Sequence, residues 1–108
     1  MITHIALYQL KDKSSLSKIK AHLEALRQCP LIKENQVKVS CLTDIPENTP
    51  VLFADIVHIA RFATALDAAA YPRSEAHMRL MRETDADIQQ VMTMDFVDEI
   101  PVLIYNQR

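Results

Sequence analysis

The chain has 108 residues, 49% hydrophobic and 24% charged, the balance of one folded domain with its own core; this excludes a disordered, collagen-like or low-complexity polypeptide. Twelve basic and fourteen acidic side chains leave a net charge of −2, which offers no electrostatic footprint for a phosphate backbone and argues against nucleic acid as a partner. No apolar run is long enough to cross a bilayer, and Met-Ile-Thr-His-Ile at the start lacks the basic and apolar regions of a signal peptide, so neither membrane association nor export is expected.

Residues 2–10 read as a strand, with Ile2, His4, Ala6, Tyr8 and Leu10 on one face and Thr3, Ile5, Leu7 and Gln9 on the other. Both faces carry apolar groups, the mark of a central strand covered on both sides. Asp12, Ser14 and Ser15 supply N-caps after Lys11. Leu16, Ile19, Leu23 and Leu26 then form one stripe of an amphipathic helix, which Pro30 ends. Val37, Val39 and Cys41 alternate with polar residues as a half-buried strand. A loop over 44–50 follows, with Asn48 its candidate for positive φ. Val51 to Phe62 reads as a second central strand. Ala63 to Tyr71 is helical and interrupted by Pro72. A longer helix is predicted from Ser74 to Gln90, its stripe formed by His77, Met81, Thr84, Ile88 and Val91 with Leu80 flanking. Met92 to Glu99 closes as a strand with Met92, Met94 and Phe96 on one face and Thr93, Asp95 and Val97 on the other.

The order β-α-β-β-α-β predicts an α+β, ferredoxin-like domain over residues 1–99 with a four-stranded antiparallel sheet. Two helices cover only one face of such a sheet. Because its central strands are apolar on both faces, a second copy of the chain is expected to cover the other, giving a homodimer. Residues 100–108 begin with Ile-Pro-Val-Leu-Ile-Tyr and are expected to dock on this chain or its partner as an apolar extension.

The opening Ile-Thr-His-Ile-Ala-Leu-Tyr-Gln-Leu-Lys-Asp resembles the first strand of the stress-responsive dimeric α/β-barrel (Dabb) family, and the resemblance extends over residues 2–99. Its most diagnostic stretch is a Tyr, two residues, then His-Pro-x-His at the last helix. The matching stretch here is Ala-Ala-Tyr-Pro-Arg-Ser-Glu-Ala-His, residues 69–77. Tyr71 and His77 keep the family spacing, Ser74 and Glu75 stand where the family has His and Pro, and Pro72 is added. The resemblance implies a homodimeric barrel with its helices outside. Cyclases of the family close a poly-β-keto chain by aldol condensation without metal or organic cofactor. They use a His on strand 1, a Tyr in the short helix and the His of the last helix, positions that match His4, Tyr71 and His77.

The residues fit that chemistry. If the His4 face looks toward the last helix, His4 and His77 point into one partly apolar space. Desolvation there would keep an imidazole neutral near pH 7 and able to act as a general base. Tyr71 brings a phenol donor for a carbonyl or for fixing a His tautomer. The expected pocket lies between sheet and last helix, lined by Ala6, Tyr8, Leu23, Leu26 and Met81. The first functional reading is binding of a small apolar or keto-type molecule in that pocket. A second is a cofactor-free cyclase or lyase with His77 as base and Tyr71 and His4 polarising. A third is a structural stress protein without ligand. Haem-degrading and quinone-forming monooxygenases share the barrel, but the absence of Trp argues against a haem reader.

No cofactor is expected. Glycine is absent, so no Gly-rich phosphate loop or dinucleotide fingerprint exists. No metal is expected either, since His4, His22, His58 and His77 show no ligand spacing. His58 reads as a satisfied sheet histidine and Arg79, Arg82, Glu83, Asp85 and Asp87 as a solvated helix face. Cys29 and Cys41 form no CxxC pair and are expected as free thiols in a cytoplasmic protein.

Overall fold

The structure, a computed structural model, describes residues 1–41 and 53–98. Strand β1 (Ile2–Leu10) leads through a 3₁₀ turn into helix α1 (Leu16–Ala25), then strand β2 (Ile32–Val39). Strand β3 (Ile56–Phe62), helix α2 (Ala65–Ala70), helix α3 (Glu75–Thr84) and strand β4 (Ile88–Val97) follow. The strands form one sheet in the order β2-β3-β1-β4, every neighbouring pair antiparallel. This is the ferredoxin-like arrangement, with β1 and β3 central as their two-sided apolar pattern predicts.

Local chemistry sets the boundaries. Asp12 caps the turn before α1 by accepting from the Ser14 amide at 2.8 Å, and Thr64 caps α2 by accepting from Asp67 N at 3.1 Å. Ser74 caps α3: its hydroxyl accepts from His77 N at 3.2 Å and donates to the Tyr71 carbonyl at 2.7 Å. The residue that departs from the family's motif therefore fastens Tyr71 to His77 through the helix cap.

Three predicted boundaries are corrected. Helix α3 stops at Thr84 rather than Gln90, and Ile88 and Val91 belong to β4. The Thr84 hydroxyl turns back to the Leu80 carbonyl at 2.6 Å, and a 3₁₀ turn at Asp85–Asp87 is pinned by Lys11 N to Asp87 O at 2.9 Å and Lys18 Nζ to Asp87 Oδ2 at 2.7 Å. These long-range bonds place Ile88 opposite Leu10, where strand pairing takes over. Strand β2 begins earlier, at Ile32; Val37 is half-buried, but Val39 and Cys41 are exposed at the sheet edge. Strand β3 begins at Ile56, because Asp55 joins the sheet end through its own bonds: its carboxylate accepts from Leu10 N at 2.8 Å and its amide donates to Tyr8 O at 2.8 Å. The 44–50 loop with Asn48, and the apolar stretch 100–105, lie outside the described residues. Both cysteines are free, Cys29 buried and Cys41 exposed.

Paired residues project to the same side of a sheet, so the register defines two faces. The helix-covered face holds Ala6, Tyr8, Leu10, Ile56, His58, Ala60 and Phe62, which pack with Ile19, Leu23, Leu26 and Leu80 into the core. The opposite face carries Ile5, Leu7, Val57 and Ile59 on the central strands and Met92, Met94 and Phe96 on β4. No element among the described residues covers it, and Met92 and Met94 are 60% and 64% exposed. A charged row bounds its lower end: Arg61 reaches Asp98 at 2.6 Å and Glu34 at 2.9 Å, and Thr3 donates to the Asp98 carboxylate.

Phe62 is 1% exposed and packs 5.2 Å from the Tyr71 ring, centroid to centroid. Phe62→Ala is expected to cost roughly 3–5 kcal/mol through lost transfer energy and the cavity left behind. A urea unfolding midpoint reads this; a change under about 1 kcal/mol would contradict the packing described.

Candidate functional site

Four aromatic side chains meet on the helix-covered face. His4 comes from β1 and His58 from β3, adjacent strands whose register sets Ala6 opposite His58 and His4 opposite Ala60. Tyr71 comes from the 3₁₀ turn after α2, and His77 from the first turn of α3. His4 lies 6.1 Å from His58 and 5.8 Å from Tyr71, and Tyr71 lies 4.8 Å from His77, all as edge-on ring contacts. Residues separated by more than sixty positions thus form one chain of rings, because the antiparallel sheet and the Ser74 cap converge on it.

The three histidine rings are anchored from outside the cluster. His4 Nδ1 lies 2.5 Å from Asp95 Oδ1, the residue opposite it on β4. His77 donates Nδ1–H to the Pro72 carbonyl at 3.1 Å, so its Nε2 is the nitrogen left to take a proton. Burial lowers the His77 pKa, helped by the nearby His4 and opposed by the Pro72 carbonyl and Asp85. The ring is therefore predominantly the neutral base at pH 7. The Tyr71 side chain is buried, 2% exposed. Burial pushes its pKa well up, with Tyr8 and Cys29 adding, so the phenol remains a donor. His58 is fully buried, and burial first, then His4 and His77, push its pKa down to about 4. The set thus offers a neutral imidazole base and a protonated phenol, the two groups needed to take a proton from carbon beside a carbonyl and steady the oxygen.

The predicted site residues fall into two groups. His4, Tyr71 and His77 come together. Of the predicted pocket-lining residues, Ala6, Tyr8 and Leu23 are close-packed core side chains, burial pushing the Tyr8 phenol up to about 12. Leu26 floors a cleft of about 440 Å³ between α1 and α3, which Cys29, His22 and Arg79 also line. Met81 is 45% exposed; α3 packs through Ala76, Leu80 and Thr84, so Thr84 keeps its predicted place while Ala76 and Leu80 take the inward positions expected of His77 and Met81. Sequence reasoning did not single out Asp95, His58 or Asn35 for this cluster. The alternation of β4 put Asp95 on the right face, but only the register sets it beside His4. Asp87, read as solvated, is half-buried and paired with Lys18. Among the described residues no group of three or more His, Cys, Asp or Glu side chains is arranged to hold a metal ion.

The family model described as the stress responsive A/B barrel domain, Dabb, matches residues 2–98. The chain belongs to this family. No curated protein sequence matches the Dabb chain. Among solved structures, a Dabb family protein of ferredoxin-like fold from Mesorhizobium loti is 17% identical, with TM-score 0.65, covering 92% of this chain and 97% of the other. A dimeric ferredoxin-like protein of unknown function from Bacteroides fragilis is 17% identical, with TM-score 0.68 and coverage of 88% and 93%. Hydroxynitrile lyase from Passiflora edulis is 13% identical, with TM-score 0.71 and coverage of 93% and 96%. At these identities the likeness is one of fold, and it spans proteins with and without an assigned activity.

Proposed function

We propose that this Dabb domain binds a small keto-type molecule against the His4–Tyr71–His77 cluster. The observation that carries the reading is the convergence of three polar rings, contributed by β1, the turn before α3 and α3 itself, at 5.8 and 4.8 Å. The Tyr71 hydroxyl is the donor for the carbonyl. A second reading, cofactor-free proton transfer with His77 as base, is favoured by the Pro72 carbonyl, which occupies Nδ1 and leaves Nε2 bare. His77 Nε2 would take the proton from the carbon next to the carbonyl, Tyr71 would hold the enolate oxygen, and His4, set by Asp95, would orient the molecule. A hydroxynitrile lyase among the structural neighbours supports the class.

The same reading makes the protein a homodimer. Its support is the apolar sheet face that no described element covers and the dimeric state of structural neighbours such as the Bacteroides fragilis protein. The free thiols suit a reducing, cytoplasmic compartment.

Acetophenone in D₂O tests both readings. Binding is expected to shift the His77 and Tyr71 ring signals. Proton transfer is expected to speed deuteration of the methyl group over buffer, with His77→Ala lowering the rate by about 10²-fold or more. The rate should fall on acidification only below the ordinary histidine range, because burial lowers the pKa at which His77 takes up its proton. Ring shifts without accelerated exchange leave binding and remove the base. Neither effect contradicts both readings.

A further inference from the structure

The hydrogen bonds around His58 fix its tautomer. Asn35 on β2 donates through Nδ2 to the Leu23 carbonyl at 3.1 Å and lies 3.5 Å from the Glu24 carbonyl at the end of α1. The amide is thereby oriented, and its Oδ1 stands 2.5 Å from His58 Nε2 as an acceptor. His58 Nε2 therefore carries the ring proton, and Nδ1 keeps a bare lone pair. That nitrogen is buried without a hydrogen-bond partner, and among the described residues it is the one buried side-chain polar atom in that position. Asn35 grips the ring from the β2 side and His4 meets it from the β1 side, so His58 forms the β3 end of the chain of rings, next to His4.

The cluster as a whole is rich in acceptors. His77 gives Nδ1–H to Pro72 and, in its uncharged form, presents an acceptor at Nε2. His4 has its Nδ1 engaged by Asp95, and in its uncharged form it does the same. The Tyr71 hydroxyl is then the one donor that the four rings offer to a guest. A buried acceptor left without a donor costs free energy, so a molecule that supplies the donor gains that energy on binding. A plain ketone satisfies Tyr71 and leaves Nδ1 of His58 unmatched.

We propose that His58, oriented by Asn35, is a specificity-determining acceptor of this cluster, selecting molecules that present a hydroxyl or enol O–H beside the carbonyl held by Tyr71. The inference rests on the reading of the cluster as a ligand site and narrows it to hydroxy-carbonyl compounds and enols. Asn35 is a positioning residue that acts through His58.

The test compares 3-hydroxyacetophenone with 3-methoxyacetophenone, which has the same carbonyl and ring but no donor. The wild-type protein is expected to bind the hydroxy compound roughly tenfold or more tightly. The His58 Nδ1 nitrogen signal should move as it accepts the bond. In His58→Phe and Asn35→Leu the ratio should approach one while the methoxy compound still binds. Equal affinities in the wild type, with both compounds at the cluster, would overturn this inference and leave the ligand-site reading intact. Failure of both to bind would overturn the two together. Should the variants not fold, the long-range proton–nitrogen spectrum of wild-type His58 decides: the Nε2–H tautomer is expected, and the Nδ1–H tautomer contradicts the proposal.

Discussion

Met94→Glu is expected to give a folded subunit that no longer dimerises. Met94 sits on the sheet face that no described element covers, 64% exposed and directly opposite Ile5, with the Leu7–Met92 pair on one side and Thr3–Phe96 on the other. In a single subunit a glutamate there points into water and disturbs nothing. In a symmetric interface it places an unpaired carboxylate in an apolar contact, and the two-fold axis doubles the insult. A cost of about 4 kcal/mol raises the dissociation constant about a thousandfold. Sedimentation velocity across a concentration series, with an unchanged circular dichroism spectrum, reads the result. A variant that stays dimeric would show that the partner sits elsewhere.

Stability should fall on mild acidification, and His58 should carry much of the fall. A histidine in the unfolded chain takes its proton near 6.5, whereas His58 in the folded protein resists until about pH 4. Between those values the unfolded state binds the proton and the folded state does not. The stability contributed is therefore fully present above about 6.5 and is lost as pH falls toward 4. Moving from pH 7 to about 5 is expected to cost roughly 2 kcal/mol from this group, with His77 adding in the same direction. The carboxylates of Asp12 and Asp98, whose pKa values are lowered, contribute only at more acidic pH. In His58→Gln, which keeps a donor toward Asn35 but cannot titrate, the difference in urea stability between the two pH values should shrink by about that amount. An undiminished difference would mean that His58 is readily protonated where it stands.

Periodicity carried the fold and stopped at contacts between distant segments. The β1 pattern was readable because both of its faces are buried or apolar, and the α1 stripe because Ile19, Leu23 and Leu26 are all core residues. The end of α3 was not, since Ile88 and Val91 continue a helical spacing from Thr84. What ends the helix is the Lys11–Asp87 bond, made by a residue more than seventy positions away. Met81 is four residues after His77 and so joined its stripe on paper. The helix instead turns Ala76, Leu80 and Thr84 inward, where α1 packs against it. His4, Tyr71 and His77 were legible as a group through the family's motif. Asp95 and Asn35 were not, because one becomes a partner of His4 only through the β1–β4 register and the other reaches His58 only across the β2–β3 pair. The sequence pattern implies a satisfied His58, and half of that holds: Nε2 has Asn35, Nδ1 has no partner.

The most direct test of the account follows the histidine and tyrosine ring signals while a hydroxy-ketone such as 3-hydroxyacetophenone is titrated in. His4, His58, Tyr71 and His77 should move together with one shared affinity. His22, which lines the separate cleft between α1 and α3, should stay still. Movement of His22 with the four rings unmoved would place the ligand in that cleft and contradict the account.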